Sequence, residues 1–255
     1  LGRFFGTVYP PTRYKLGGFK NVLLGNPIHT SVNTLGGITL MNVLVIGANG
    51  QVGKHLIQQL QESEHTSIAM VRKQEQVETM KELGADNVVI ADLEDDFSEA
   101  FTQADAVIFA AGSGGSTGAD KTLTVDLWGA IKAFRYAEDA SIKQFVQLSS
   151  IGAGNPDAQP DKIKHYMVAK AVADQVLMST SLSYSIVRPG VLTNDKAAGT
   201  IHAKAAFEQL SDSSISRADV AAVLIEALTN EATFGKAFEI VGGSEQRTDA
   251  LSALN

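Results

Sequence analysis

Cysteine is absent from the 255-residue sequence, which excludes disulfides, thiolate metal sites, iron–sulfur clusters and a cysteine nucleophile. Long apolar runs are absent as well, so no transmembrane helix and no membrane partner are predicted. Basic residues number 21 against 28 acidic ones, and the net charge of −7 argues against a nucleic-acid partner. The five histidines form no pair with metal-ligand spacing, so no metal site is predicted. These features are typical of a cytoplasmic enzyme or sensor.

Acidic residues are missing from the first forty positions, which sets this segment apart from the rest of the chain. The segment holds four basic residues and three of the six prolines, so it carries +4 while the remainder carries −11. It lacks the apolar core and cleavage site of a signal peptide. We predict that residues 1–40 are an N-terminal extension outside the fold and that the working domain starts at Met41. A functional basic arm or a targeting tail is the alternative.

From residue 41 onward, short apolar runs alternate with helical patterns. The apolar runs cover 43–46, 67–71, 87–91, 105–111, 143–148 and 183–188, and helical patterns cover 51–62, 74–83, 96–103, 119–140 and 161–179. This alternation predicts an α/β fold with a doubly wound parallel sheet, a Rossmann fold, whose ligand crevice lies at the carboxyl ends of the strands. After Arg188 the pattern loosens, with a helix near 217–229 and an apolar segment near 237–241. We therefore predict a single domain over 41–255 with a small C-terminal substrate-side region.

Three glycines with G-x-x-G-x-x-G spacing follow the first apolar run and lead directly into a helical pattern. Gly47 allows a sharp turn, Gly50 lets the backbone approach a pyrophosphate, and Gly53 lets the helix pack close to the sheet with its first amides aimed at the phosphates. This strand-to-helix context predicts a dinucleotide-binding, NAD(P)-type domain. The predicted cofactor-binding residues of the turn are Gly47, Asn49, Gly50, Gln51, Val52 and Gly53.

Basic residues stand at the end of the second apolar run, where an NAD-binding turn carries an acid for the ribose 2′-hydroxyl. Arg72 and Lys73 occupy this place and would attract a 2′-phosphate, so NADP(H) is predicted as the cofactor, with NAD(H) as the alternative. A solvated basic pair at a strand end is the other interpretation.

The ends of the third and fourth apolar runs supply further candidate cofactor contacts. Asp92 could accept from the adenine amine while Leu93 packs on the ring, although an Asp that caps the next helix is an equal alternative. The small residues Ala110, Ala111 and Gly112 would let a cofactor ribose lie against the backbone, or would simply form a flexible loop.

Serine, tyrosine and lysine provide a candidate catalytic set near the fifth apolar run. Ser150 follows Ser149 at the end of that run, and Tyr166 and Lys170 lie four residues apart on a helix, so they share one face. A neighbouring cation lowers the pKa of a phenol from its reference value of about 10, which makes the phenol a usable general acid. A nearby serine hydroxyl could hold a substrate carbonyl. Alternatively, Tyr166 packs under a loop and Lys170 only binds cofactor or solvent.

Taken together, these motifs resemble the short-chain dehydrogenase/reductase superfamily, in its atypical, extended-like branch of NAD(P)-binding proteins. The resemblance covers 41 to about 245 and is similar in detail to small bacterial proteins grouped with flavin reductase and biliverdin reductase B, often labelled NAD(P)-dependent epimerase/dehydratases. It rests on 47–53, Asp92-Leu93, Ala110-Ala111-Gly112, Ser149-Ser150, Tyr166 to Lys170 and Arg188-Pro189-Gly190, with recognisable counterparts for 112–118 and 215–220.

The resemblance implies a role for each matching residue. Tyr166 would donate a proton, Lys170 would lower the pKa of Tyr166 and bind the nicotinamide ribose, and Ser150 or Ser149 would orient the substrate. Pro189 would line the nicotinamide side. Two features depart from the family pattern. Asp126 stands where many catalytic members carry Asn. The spacing from Ser150 to Tyr166 is longer than in the compact members and shorter than in sugar epimerases.

Three functions are compatible with these residues. The first is an NADPH-dependent oxidoreductase that reduces a small carbonyl, quinone or flavin-like acceptor. The second is a nucleotide-sugar epimerase or dehydratase, although the short region after Arg188 leaves little room for a substrate cap. The third is a redox sensor that binds NADP(H) without catalysis, since fold does not fix function. The substrate and the oligomeric state are not readable from the sequence.

Overall fold

The alternating apolar runs and helical patterns form strands and helices close to the predicted positions. The computed structural model describes residues 34–35, 38–114, 117–208 and 212–254. The strands are β1 (Thr34–Leu35), β2 (Ile38–Thr39), β3 (Asn42–Ile46), β4 (Thr66–Val71), β5 (Asn87–Ile90), β6 (Ala106–Phe109), β7 (Gln144–Leu148), β8 (Tyr184–Pro189), β9 (Val191–Thr193), β10 (Thr200–Lys204), β11 (Ser214–Ser216), β12 (Lys236–Gly242) and β13 (Glu245–Gln246). The α-helices are α1 (Gln51–Gln61), α2 (Val77–Glu82), α3 (Ala119–Lys121), α4 (Ala130–Asp139), α5 (Asp161–Met178), α6 (Arg217–Glu226) and α7 (Arg247–Ser252).

Most of the described strands join one sheet, in the order β13-β10-β12-β8-β7-β6-β3-β4-β5. The pairs from β12 through β8, β7, β6, β3 and β4 to β5 are all parallel. The strand order reverses at β3, which lies between β4 and β6, and such a reversal is where doubly wound sheets bind their ligands. The predicted fold class, a doubly wound parallel sheet, is confirmed.

Both faces of the sheet are covered by helices, which explains why the strand sequences are continuously apolar. Successive side chains of a strand point to opposite faces. In β3, Val43 and Val45 pack in a core with residues of α1, α6 and α7. Leu44 and Ile46 face the other side and pack in a second core with residues of α4 and α5. Burying each such side chain contributes about 1.5–3 kcal/mol, so the two cores fix α1 and α5 firmly against the sheet.

The helix predicted over 119–140 contains a change of winding. A π-helical segment, Thr122–Gly129, separates α3 from α4. The π-helix is rare and is found frequently at functional sites. Here it carries Asp126, whose side chain is buried.

The chain after Arg188 mainly completes the sheet. The apolar segment near 237–241 becomes β12, which adds a parallel strand beside β8. β10 pairs antiparallel with β12, and β13 pairs antiparallel with β10. Beyond the carboxyl end of β8, β9 and β11 form a separate two-stranded parallel sheet. That this small C-terminal region lies on the substrate side stays a prediction.

The predicted N-terminal extension falls almost entirely outside the described residues. Within it, the structure describes only the antiparallel pair β1 and β2 and Leu40. The extension over 1–40 and the domain boundary at Met41 therefore stay predictions. In the part of the chain that the structure describes, no helix combines the length and apolar character needed to cross a membrane.

Candidate cofactor and active site

The glycine turn lies between β3 and α1, at the reversal of strand order. Gly47 has φ of +90°, which favours glycine, and a Cβ there would lie 2.6 Å from the Cα of Ala111. At Gly53 a Cβ would collide with the carbonyl oxygens of Gly47 and Ala48. At Gly50, by contrast, the nearest atom would be the Gly47 oxygen at 3.1 Å. Packing within the protein therefore requires glycine at 47 and 53, whereas Gly50 leaves the backbone open to a ligand.

The start of α1 is free to bind an anion. Among the described residues, no side chain caps this helix at Gly50. The amides of Gln51, Val52 and Gly53 belong to the first turn, where backbone N–H groups have no intrahelical partner. These amides and the positive end of the helix dipole attract phosphate.

A cleft of about 540 Å³ opens beside this turn, a volume within the range of small-molecule sites. It lies at the carboxyl ends of β3, β4, β5 and β6. Its walls include the predicted residues Gly47, Asn49, Gly50, Arg72, Asp92, Leu93, Ala111 and Gly112. The predicted cofactor-binding residues outside its walls are Gln51, Val52, Gly53, Lys73, Ala110, Lys170 and Pro189. The cleft thus corresponds to the adenosine and pyrophosphate half of the predicted cofactor site.

Arg72 is an exposed residue on the wall of this cleft. The side-chain oxygen of Gln76 accepts hydrogen bonds from the backbone amides of Arg72 and Lys73, each at 3.0 Å, and so fixes the chain after β4. The amine of Lys73 lies 3.4 Å from a carboxylate oxygen of Glu75. Of the two predicted basic residues, Arg72 is the one that faces the cleft.

Asp92 and Leu93 lie on the same cleft, after β5. One carboxylate oxygen of Asp92 accepts from the backbone amide of Glu94 at 3.0 Å, so Asp92 fixes a local turn as well as facing the cleft. Leu93 is buried. Lys121, which also lines the cleft, forms an ion pair of 2.6 Å with Glu94. This hydrogen bond raises the pKa of Lys121 and lowers the pKa of Glu94.

The small residues after β6 approach the turn closely. The amide of Ala110 donates to the oxygen of Ile46, and Ala111 contacts Gly47. A Cβ at Gly112 would lie 3.0 Å from a carboxylate oxygen of Asp126. This tight arrangement places the backbone of Ala111 and Gly112 on one wall of the cleft, whereas Ala110 lies outside it. Contact with a cofactor ribose stays a prediction.

Tyr166 and Lys170 lie on one face of α5, at the carboxyl end of β7. The ammonium of Lys170 is 5.7 Å from the centre of the Tyr166 ring. It donates to the carbonyl oxygen of Leu148 at 3.1 Å and lies 3.8 Å from a carboxylate oxygen of Asp126. Lys170 is almost fully buried, and Tyr166 is partly exposed. The predicted proximity of the phenol and the ammonium is therefore present in the structure.

The two serines after β7 have different surroundings. Ser149 is buried and donates to the carboxylate of Asp174 at 2.9 Å. Ser150 is partly exposed, and among the described residues its hydroxyl bonds only to the oxygen of Ile151, at 3.3 Å. Ser149 is thus committed to an internal bond, and Ser150 is the serine available to a substrate.

Arg188 and Pro189 end β8 beside this loop. Pro189 is buried, and its carbonyl oxygen accepts from the amide of Ile151. Arg188 binds Asp174 instead of pointing into the cleft. Burial raises the pKa of Asp174, although Arg188, Ser149 and Lys170 all act in the opposite direction.

Several residues around the site were not predicted from the sequence. The cleft is also lined by Gln76, Ser113, Thr117, Lys121 and Val125. Asp174 lies four residues after Lys170 on α5, and this helical spacing was the one available signal for its place near the site. Gln76 and Lys121 are brought to the cleft by the tertiary structure, and no spacing in the sequence indicated their place there.

Comparison with known proteins assigns the chain to a family. Residues 47–231 match the model of the NAD(P)H-binding family, and the chain belongs to that family. It is 42% identical over 218 residues to YhfK of Bacillus subtilis (strain 168), described as an uncharacterized sugar epimerase, and the match covers 84% of this chain and 100% of that protein. The resemblance predicted from the motifs is confirmed.

Solved structures agree with this assignment. A Bacillus halodurans protein provisionally named an NAD-dependent epimerase/dehydratase is 46% identical, with a TM-score of 0.81 over 83% of this chain and 98% of that one. The oxidoreductase YlbE from Lactococcus lactis is 32% identical, with a TM-score of 0.74 over 84% and 96% of the two chains. The family supports a nicotinamide dinucleotide as the cofactor and an oxidoreductase or epimerase class of reaction.

Proposed function

We propose that the protein is an NAD(P)H-dependent oxidoreductase, with a preference for NADPH, that reduces a small carbonyl, quinone or flavin-like acceptor. The observation that carries the proposal is the position of Lys170 beside the Tyr166 ring, 5.7 Å from its centre. This pair lies at the carboxyl ends of the parallel strands, which is the same end of the sheet at which the glycine turn follows β3. A proton donor and a dinucleotide cradle on one edge are the two elements that a carbonyl reductase needs.

Each half of the site has a distinct task in this proposal. The uncapped amides of α1 bind the pyrophosphate, and Lys170 binds the nicotinamide ribose. The cofactor, when bound, supplies the hydride. Tyr166 Oη donates the proton to the substrate oxygen, Ser150 Oγ holds that oxygen in place, and the ammonium of Lys170 stabilises the phenolate left behind.

The preference for NADPH is supported by the charge on the cleft wall. Arg72 faces the cleft, and the described residues at the end of β4 place no carboxylate where a ribose 2′-hydroxyl would be bound. A planar guanidinium can bind a 2′-phosphate through two hydrogen bonds. Lys73 contributes less, because its amine is close to Glu75.

Replacement of Tyr166 by Phe tests the reaction. The Tyr166→Phe variant should lose about 10²- to 10⁴-fold in the rate of NADPH oxidation with a panel of small aldehydes, quinones and flavins, because general acid catalysis is removed. Its affinity for NADPH should be nearly unchanged. Tyr184→Phe is the matched control, since Tyr184 begins β8 at the opposite edge of the sheet. Full activity of Tyr166→Phe would refute the proton-donor role.

Two further measurements distinguish the proposed oxidoreductase from a sugar epimerase or dehydratase and from a redox sensor. The names of the relatives from Bacillus subtilis and Bacillus halodurans favour a sugar epimerase or dehydratase. Against it, β10, β12 and β13 are used to extend the sheet and do not form a cap over a sugar nucleotide. Conversion of a nucleotide sugar by the cofactor-loaded protein would favour that function. Tight NADPH binding without hydride transfer to any acceptor would favour a redox sensor.

A further inference from the structure

The segment that follows β8, residues 191–199, begins near Ser150. The carbonyl oxygen of Pro189 accepts a hydrogen bond of 2.9 Å from the amide of Ile151, the residue after Ser150. Val191 comes two residues after Pro189 and is 64% exposed. The segment therefore places an exposed apolar residue at the end of the sheet where doubly wound folds bind their ligands.

Arg217, the first residue of α6, holds the beginning of this segment. Its Nη1 donates to the carbonyl oxygen of Leu192 at 3.1 Å and to Oδ1 of Asn194 at 2.8 Å. The amide of Val191 donates to the carbonyl oxygen of Ser213 at 2.8 Å, where β9 pairs with β11. The course of the chain past Val191 is therefore set by contacts with Arg217 and with the residues that lead into α6.

Asp219 holds the end of the same segment. It is buried, and its two carboxylate oxygens accept from the backbone amides of Ala198 and Gly199, each at 2.9 Å. The hydroxyl of Ser216 also donates to the carboxylate, at 2.7 Å. A buried carboxylate needs such donors, and hydrogen bonds to a charged group are stronger than those between neutral groups. The segment is thus attached to α6 near both of its ends.

The helix α6 is itself fixed against the helix that begins at the glycine turn. Val220 of α6 is buried in one core with Leu56 of α1. Nε2 of Gln59, also on α1, donates to the carbonyl oxygen of Ala218 at 3.0 Å. The 191–199 segment is therefore held in a fixed position relative to α1, whose first amides are the proposed pyrophosphate site.

We propose that Arg217 and Asp219 are positioning residues that hold the 191–199 segment as one wall of the substrate site, with Val191 in contact with the substrate. The inference rests on the proposed function, because it takes Ser150 as the residue that binds the substrate oxygen. Contact with Val191 stabilises a substrate only where apolar surface is removed from water. The site therefore suits a quinone or an aromatic aldehyde better than a sugar.

Steady-state kinetics with NADPH and the fastest-reduced quinone or aromatic aldehyde of the panel test the role of Arg217. Arg217→Met keeps the aliphatic stem but removes the hydrogen bonds to the segment. The substrate KM should rise about tenfold, the lower range for hydrogen bonds from a charged group, while the Kd for NADP⁺ in calorimetry stays unchanged. Arg217→Lys keeps one donor group and should give an intermediate KM. A protein that is only less stable would lose active enzyme, and therefore kcat, without a change in KM.

Arg247→Met is the matched control. Nε of Arg247 donates to a carboxylate oxygen of Glu226 at 2.6 Å, at the opposite end of α6 from Arg217. Both arginines are partly buried, so each variant removes a cation and a contact of the same helix. Arg247→Met should leave the substrate KM unchanged.

Two further variants test the remaining parts of the inference. Asp219→Asn replaces one acceptor oxygen by a donor group and should raise the KM as Arg217→Met does, because a backbone amide of the segment is released. Val191→Ser withdraws apolar surface from the substrate and should raise the KM about fourfold, the value for one methyl group. Val191 is exposed, so this variant should fold even if the others do not.

The outcomes separate the inference from the function on which it rests. If the unaltered protein reduces no substrate of the panel, the proposed function fails, and the substrate wall fails with it. If it reduces one, an unchanged KM in Arg217→Met or Val191→Ser, or an equal rise in Arg247→Met, refutes the inference and leaves the function intact. Should Arg217→Met fail to fold, Asn194→Ala decides, because it removes one partner of Arg217 at an exposed position. An unchanged KM in that variant refutes the role of Arg217.

Discussion

Arg188 donates from Nε to the carboxylate oxygen Oδ2 of Asp174 at 2.9 Å, and its Nη2 lies 2.9 Å from the same oxygen in an ion pair. Ser149 donates to the same oxygen, Oδ2. Among the described residues, no hydrogen-bond donor reaches the other oxygen, Oδ1. This cluster of Ser149, Asp174 and Arg188 ties α5 to the ends of β7 and β8. The cluster therefore fixes the chain next to Ser150 and the part of α5 that follows Lys170.

Breaking this cluster from one side should cost stability. The side chain of Asp174 is 1% exposed and that of Arg188 is 12% exposed, and removal of one partner of a buried ion pair costs about 3–5 kcal/mol. We expect Asp174→Ala to lower the free energy of unfolding by an amount in that range in urea denaturation. The double variant Asp174→Ala, Arg188→Leu should be more stable than the sum of the single effects predicts, because no charge is left unpaired. Additive losses would show that the two side chains act independently.

The second and third glycines of the turn should respond differently to alanine. At Gly53 the added Cβ meets two carbonyl oxygens, so Gly53→Ala should lose about 1–3 kcal/mol of stability through overpacking and also lose cofactor binding. At Gly50 the backbone is extended, with φ of −69°, and the Cβ would make one tight contact, 3.1 Å to the Gly47 oxygen, which a small shift relieves. Gly50→Ala should lower the melting temperature much less than Gly53→Ala but bind NADP⁺ weakly, because the methyl group blocks the pyrophosphate. Thermal melts and calorimetry give both quantities, and equal loss of stability at the two positions would contradict this assignment.

The parallel part of the fold could be predicted because its signals are local. Each of the six predicted runs became a strand, since buried parallel strands are apolar throughout. β10 and β13 were not predicted. β10 has the short sequence Thr-Ile-His-Ala-Lys, and its strand state depends on β12, more than thirty residues away in sequence. The winding change at Thr122–Gly129 also has no sequence pattern that distinguishes it from a regular helix.

The site could be predicted where spacing alone brings residues together. The turn over 47–53 and the pair Tyr166 and Lys170 are of this kind, because their distances follow from the local backbone. The contact of Asp126 with Lys170 was not predictable, since 44 positions separate them and the sheet topology decides their approach. The sequence indicated Asp126 only as a departure from the family pattern, and its contact with Lys170 is seen only in the structure.

His65 should make stability depend on pH. Burial lowers its pKa from the ordinary value of 6.5, with Glu64 acting weakly in the opposite direction. The unfolded chain therefore takes up a proton at His65 before the folded protein does, so this stabilisation is present above about pH 6.5 and is lost as pH falls through the folded pKa. The melting temperature of the unaltered protein relative to His65→Gln should thus be lower at pH 5 than at pH 8. A pH-independent difference would show that His65 does not contribute.

Arg72 should determine the choice between the two nicotinamide cofactors. Because its guanidinium is exposed on the cleft wall, Arg72→Ser should weaken NADP⁺ binding about 10- to 100-fold, the range for a charge-assisted hydrogen bond, and leave NAD⁺ binding nearly unchanged. Lys73→Ser removes the same charge one residue further on, outside the cleft and close to Glu75, and should have a much smaller effect. The difference in NADP⁺ affinity between the two variants distinguishes a specific contact with the 2′-phosphate from a general electrostatic attraction. High salt would screen the general attraction equally in both variants. Equal losses of NADP⁺ and NAD⁺ affinity in Arg72→Ser would assign Arg72 to the shared part of the cofactor and remove the basis for a preference for NADPH.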